Sequence, residues 1–211
     1  MIQERLKSLG VGWVELIGIV TSFLFITGVS YYYGYYAAGL NSDWIINLLT
    51  TKELLISNIR LGAGVIVALM YFDALFDKKS PTSPKKVLVI GNVVLITLLI
   101  SWAVSKGSNT IWESLSYLVV FNALYGLIYY EFLGKIICIS LILFVAPFIN
   151  GISAFHKKIN SNLPLVTLKD DKKQWYLFDT FSDQAILIDS VKKEKNIKIV
   201  AINELNNIRV K

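Results

Sequence analysis

The sequence predicts an α-helical membrane protein with four to five transmembrane helices, followed by a small antiparallel β-rich C-terminal domain. Three observations carry this prediction. Hydrophobic residues make up 55% of the 211 residues, charged residues only 17%, and mean hydropathy is +0.56; a soluble globule carries roughly 25% charge. Apolar runs of membrane-crossing length recur as far as residue 154. Beyond Phe155 the pattern changes to short β-branched runs between Lys- and Asp-rich clusters. A transmembrane domain is therefore expected over 1–155 and a small soluble domain over 156–211.

The first apolar run, Val11 to Leu40, exceeds the ~20 residues a crossing helix needs. It is too long for a signal peptide, and a tyrosine cluster (Tyr31, Tyr32, Tyr33, Tyr35, Tyr36) stands where a small-residue cleavage site would be. The second run is Ile59 to Phe76 and the third Val87 to Ser105. From Leu115 to Ala154 the chain is about two spans long, interrupted by Glu131, Gly134 and Lys135. This region reads as two crossings with a tight turn, or as one crossing plus a re-entrant segment. Asn41 to Asn58, with Trp44, Ile45, Leu48, Leu54 and Ile56, suits a helix lying in the outer interface.

Basic residues in short loops set orientation. Arg5 and Lys7 precede the first run, and Lys78, Lys79, Lys85 and Lys86 separate the second from the third, so both places are expected in the cytoplasm. Trp13 then marks the inner interface, and the tyrosine cluster with Trp44 the outer one. Five full crossings would leave the C-terminal domain outside. His156, Lys157 and Lys158 directly after the last run favour a cytoplasmic C-terminal domain, with part of 115–154 not fully crossing.

In the C-terminal domain, four extended runs are expected: Leu163–Leu168, Gln174–Phe178, Gln184–Asp189 and Ile197–Ile202. Turns are expected at Asp170–Lys173 and Lys192–Asn196. The third and fourth runs are apolar on both faces, whereas a sheet wetted on one side alternates. Barrel closure, packing on another chain or docking on the membrane would cover the second face; a homo-oligomer is the preferred expectation.

One Cys (Cys138) and one His (His156) leave no disulfide and almost nothing for a Ser-His triad or a metal site. No P-loop, HExxH or GxSxG is present, so no enzyme, catalytic residue, metal or cofactor is expected. Glu15, two residues past Trp13, reads as interfacial. Asn92 and Asn122 inside spans read as a polar bond between helices. Gly18 with Ser22, and Gly64 with Ala68, read as small-residue helix contacts. The main chemical signal is basic: residues 156–211 hold eleven Lys and Arg against seven Asp and Glu, a net +4 of the chain's +6. The bland reading is a solubilising surface beside anionic lipid. The functional reading is an anion site at Lys172, Lys173, Lys192, Lys193 and Lys195, with Trp175 and Tyr176 as stacking partners for a base.

The multi-span region 11–154, the His156-Lys-Lys158 junction and the Lys-rich run from Leu163 to Val210 together resemble CRISPR-associated membrane effectors with a cyclic-tetra-adenylate-binding C-terminal domain. The resemblance is one of layout and implies a non-enzymatic antiviral-defence effector. Its C-terminal domain would bind an anionic cyclic oligonucleotide between subunits and gate membrane disruption. Gly28-Val-Ser-Tyr-Tyr-Tyr-Gly-Tyr-Tyr-Ala-Ala-Gly-Leu40 also resembles an aromatic-glycine pattern of small bacterial inner-membrane proteins. Some proteins of that size are immunity proteins, and the alternative expectation is one that neutralises a membrane-directed toxin protein through the Trp44–Asn58 face.

Overall fold

The computed structural model describes residues 12–59, 61–66, 84–106, 110–169, 171–191 and 196–209. Six α-helices carry the labels used below: α1 (Trp13–Tyr32), α2 (Thr51–Ser57), α3 (Pro84–Lys106), α4 (Thr110–Tyr129), α5 (Phe132–Ser140) and α6 (Ala146–Ile159). A π-helical stretch, Tyr33–Ala38, extends α1, and a second, Leu141–Val145, joins α5 to α6. Residues 61–66 are also helical.

The long helices follow from extended apolar runs; the one internal proline among them, Pro147, falls just after the π-helical stretch Leu141–Val145. α1 has Glu15 in its first turn, where a carboxylate meets the positive helix end. It stops where Asn41 turns into the left-handed region (φ 55°) and the Ser42 amide donates back to the Tyr36 carbonyl at 3.1 Å. α2 opens with a capping box between Thr50 and Glu53.

Three helical stretches among the described residues are long and apolar enough to cross a membrane: Trp13–Ala38, Ile111–Tyr129 and Phe132–Ile159. α3 is 23 residues long, with a shorter apolar stretch at Leu88–Leu98. Most of the second run, Ile59–Phe76, lies outside the described residues, as does Ala68. Both helical stretches drawn from 115–154 are long enough to cross, which fits the reading of two crossings with a tight turn. Glu131 sits in the tight turn between them.

The first and last spans meet backbone to backbone at two glycines. A Cβ on Gly34 would overlap the Phe148 carbonyl oxygen, and one on Gly151 the Tyr31 carbonyl oxygen. Gly28 likewise lies on the Leu54 backbone. Among the described residues nothing lies within 4 Å of a Cβ built on Gly18, so none of them makes the small-residue contact expected there. Polar bonds add to the crossing. Ser30 Oγ donates to the Phe144 carbonyl at 2.6 Å, within the second π stretch. Buried Asn58 donates to Thr27 O at 3.3 Å and accepts from Asn150 at 3.2 Å. Asn92 and Asn122 exchange amide hydrogen bonds of 3.0 and 2.8 Å between α3 and α4, as their positions predict.

The C-terminal part forms a five-stranded antiparallel sheet in the order β4-β3-β2-β1-β5. Its strands are β1 (Leu165–Leu168), β2 (Asp171–Phe181), β3 (Gln184–Ile188), β4 (Ile197–Ala201) and β5 (Leu205–Arg209). The four expected strands are found, and β5 adds a fifth on the free edge of β1. β4 and β5 are the two edges, yet only a 3-10 turn, Ile202–Glu204, joins them. Three residues reach at most about 14 Å between flanking Cα atoms. Five flat strands would set the edges about 19 Å apart. The sheet must therefore curl, and its concave side encloses Val166, Leu168, Trp175, Ala185, Leu187 and Val200.

The opposite side of the sheet docks on the helices. Phe178, Phe181, Ile186 and Ile188 share one core with Tyr35, Tyr36, Ile45, Phe155 and Ile159. Phe178, Ile186 and Ile188 are wholly buried. A β-bulge between Leu177 and Asp179 shifts the alternation of β2, so that Asp179 and Phe181 face the helix side as Tyr176 and Phe178 do. α6 runs on past the expected boundary at 155/156 to Ile159. The second apolar face is covered by the chain's own helices, so it gives no reason to expect a second copy.

Replacing Gly34 or Gly151 by Ala should cost about 3 kcal/mol, because the clashing atoms are backbone, whereas Gly18→Ala should be neutral; melting temperatures of the detergent-purified variants check this. A double-mutant cycle of Asn92→Leu and Asn122→Leu should give a coupling of about 0.6–1.7 kcal/mol.

Candidate functional site

Two places gather chemistry. One is the concave rim of the sheet, where the basic residues were expected to act. Lys172 and Lys173 stand in β2 and not in a turn. Lys192, Lys193 and Lys195 lie outside the described residues. Lys173 Nζ lies 4.6 Å from the centre of the Trp175 ring and Lys198 Nζ 5.7 Å. Trp175 is 6% exposed and packs inside the curl. Tyr176, one residue on, points to the opposite side and packs on the junction core. Alternation along β2 thus separates the two expected stacking partners. The structure brings together Lys173, Trp175 and Lys198, a cation–π cluster within the fold. Lys198 was counted only as charge; its place opposite Leu187 in the β3–β4 register is what brings it here.

Asp189 closes the base of the segment carrying Lys192, Lys193 and Lys195. It accepts from Asn196 Nδ2 at 2.6 Å, the Asn196 amide at 2.9 Å and Lys173 Nζ at 3.3 Å. The Asn196 side-chain bond, then its backbone amide and Lys173, hold this carboxyl below the usual carboxylate range against the opposing cost of desolvation.

The second place is the junction. A cavity of 440 Å³ is lined by Tyr31, Tyr32, Tyr35, Ser57, Ala154, Lys157, Lys158, Ser161 and Asp179. Its walls come from the last turns of the first and last spans, the end of α2, and β2. Tyr31 and Tyr35 stack with centroids 6.1 Å apart, and Tyr32 stands edge-on to Tyr31 at 5.2 Å. Tyr36 Oη donates to Asp179 Oδ2 at 3.2 Å, joining helix to sheet. Lys157 pairs with Glu113 in the first turn of α4. Lys158 makes no ion pair among the described residues. The tyrosines read as an aromatic belt and Asp179 as one acid among seven, so sequence reasoning missed this site. The concentration of five tyrosines at one helix end was the available signal.

The geometry also relates the sheet to the two ends of the first span. The curled sheet sits at the Tyr36 end of the first span, and Trp13 lies at the other end. Trp13–Ala38 is 26 residues, about 39 Å of helix. Trp13 and the sheet thus stand at opposite ends of a helix long enough to cross a membrane.

Among the described residues, no group of three His, Cys, Asp or Glu is placed to hold a metal ion. Buried Cys138 lies in the bundle core beside Gly126.

The lowered pKa of Asp189 gives a testable sign. Its stabilisation of the β3–β4 hairpin is present above the unfolded value, about pH 4, and is lost as pH falls through the lower folded value. Hydrogen-exchange protection of β3 and β4 in the full chain, corrected for intrinsic rates, should hold to about pH 4 and drop below it. Asp189→Asn should flatten that acid limb. Comparisons with known protein families, curated proteins and solved structures find no match to this chain.

Proposed function

We propose that this chain is a non-enzymatic, membrane-embedded recognition protein whose curled sheet is a fixed head on the helix bundle. The observation that carries this reading is the shared core. Tyr35 and Tyr36 of the first span and Phe155 and Ile159 of the last are buried against Phe178, Ile186 and Ile188 of the sheet. A binding event that shifts the head must therefore shift both helix ends. Coupling of that kind works only if the ligand binds one arrangement more tightly than the other.

What the head recognises depends on its side. An anionic cyclic oligonucleotide bound between subunits needs a cytoplasmic head and an outside N-terminus. The basic residues around Trp175 support that reading. A toxin or other protein partner, met through the exposed Trp44, Leu48 and Ile56 surface, suits an outside head. Short-loop charge favours the second orientation. In the sequence Arg5 and Lys7 come before Trp13 and Lys78 and Lys79 before α3, while Lys85 and Lys86 open α3 at the end away from the head. The head end carries four among the described residues, Lys52, Lys106, Lys157 and Lys158, fewer than those six. The conclusion is a bacterial inner-membrane protein with its N-terminus inside and its head outside.

Single cysteines test this in a Cys138→Ala background. With a membrane-impermeant maleimide on intact cells, Ser161→Cys should label and Gly12→Cys should label only after lysis. The reverse pattern would restore the cytoplasmic oligonucleotide reading. Equal labelling of both would mean that the first helix does not cross.

A further inference from the structure

We propose that the junction cavity binds the zwitterionic headgroup of a phospholipid, a phosphate ester that also carries an ammonium group, as in phosphatidylethanolamine. The proposal rests on the membrane-spanning bundle and holds for either orientation of the head. The cavity lies between the last turns of two spans, at the depth of the headgroups. Its volume of 440 Å³ falls within the range of small-molecule sites. Its polar groups divide by sign. Lys158 and Lys157 stand together in the last turn of α6 and offer ammonium donors to a phosphate. Lys157 is already held by Glu113, so Lys158 is the principal phosphate partner.

The opposite wall suits a cation. Asp179 accepts from Tyr36 Oη at 3.2 Å on one oxygen and from the Thr180 amide at 3.0 Å on the other, and the Tyr35 hydroxyl also reaches it. Each carboxylate oxygen accepts more than one hydrogen bond, so acceptor capacity remains. The rings of Tyr31, Tyr32 and Tyr35 line the same space and attract an ammonium group through their faces. A purely anionic headgroup would meet the Asp179 carboxylate without compensation. A purely cationic ligand would meet Lys158. A ligand with both charges satisfies both walls.

Native mass spectrometry tests this on the full chain taken from vesicles of equal phosphatidylethanolamine and phosphatidylglycerol content. The wild-type protein should retain phosphatidylethanolamine over phosphatidylglycerol by about tenfold. Lys158→Gln should lower retention of both lipids, and Asp179→Asn should abolish the preference. Tyr36→Phe removes the hydrogen bond but keeps the carboxylate, so it should keep the preference and separates ligand binding from loss of docking. Equal retention of the two lipids by the wild type, unchanged retention in folded Lys158→Gln, or an unchanged preference in folded Asp179→Asn, would overturn the proposal. Binding of soluble glycerophosphoethanolamine without retained lipid would overturn the lipid source and assign the cavity to a free phosphoamine.

Discussion

The backbone contact between the first and last spans governs the rest of this structure. Gly34 against Phe148 and Gly151 against Tyr31 let two helices meet without intervening side chains. Lipid offers helices no hydrophobic drive to associate, so close packing and polar bonds must hold them. Both are concentrated here: the glycine crossing, the Ser30 bond to the Phe144 carbonyl, and the Thr27–Asn58–Asn150 chain. The two π-helical stretches flank the same crossing. A π turn leaves a carbonyl without its usual partner, and Ser30 supplies one. Once these helices are fixed, their ends form a single apolar platform.

The sheet depends on that platform. Its strands carry apolar residues on both faces, and a sheet of this size has too little core to fold securely with one face in water. Curling buries one face around Trp175 and Leu187, while docking buries the other around Phe178, Ile186 and Ile188. Bundle and sheet thus share a core, and neither is complete alone. The lysines at the concave rim are partly committed to this architecture, since Lys173 serves both Trp175 and Asp189.

Polar groups appear where the two halves meet because the docking is not flush. Tyr36 and Asp179 join across the edge of the apolar contact, and beside them the cavity holds lysines and tyrosine rings. Any ligand there touches both helix ends and β2 at once. The junction is therefore both the mechanical link of the molecule and its most chemically varied surface.

Much of this was legible in the residues. Composition and run length determine a helical part with stretches long and apolar enough to cross a membrane, because about 20 apolar residues have few other stable fates. Asn92 and Asn122 announce a polar pair, since an amide inside a span needs a partner. Turn residues and β-branched runs mark β1 to β4. β5, with the polar run Leu205-Asn-Asn-Ile-Arg209, has no such signal; it forms because the curl brings β1's free edge to it. Periodicity shows that β3 is apolar on both faces, but nothing local says what covers them. Only the tertiary structure decided that the chain's own helices do, that Gly34 and Gly151 rather than Gly18 make the crossing, and that Asp179 meets Tyr36 across 143 positions. Local sequence encodes which surfaces must leave water; which surfaces find one another is a property of the whole packed chain, because each pairing depends on where all the others have already placed the backbone.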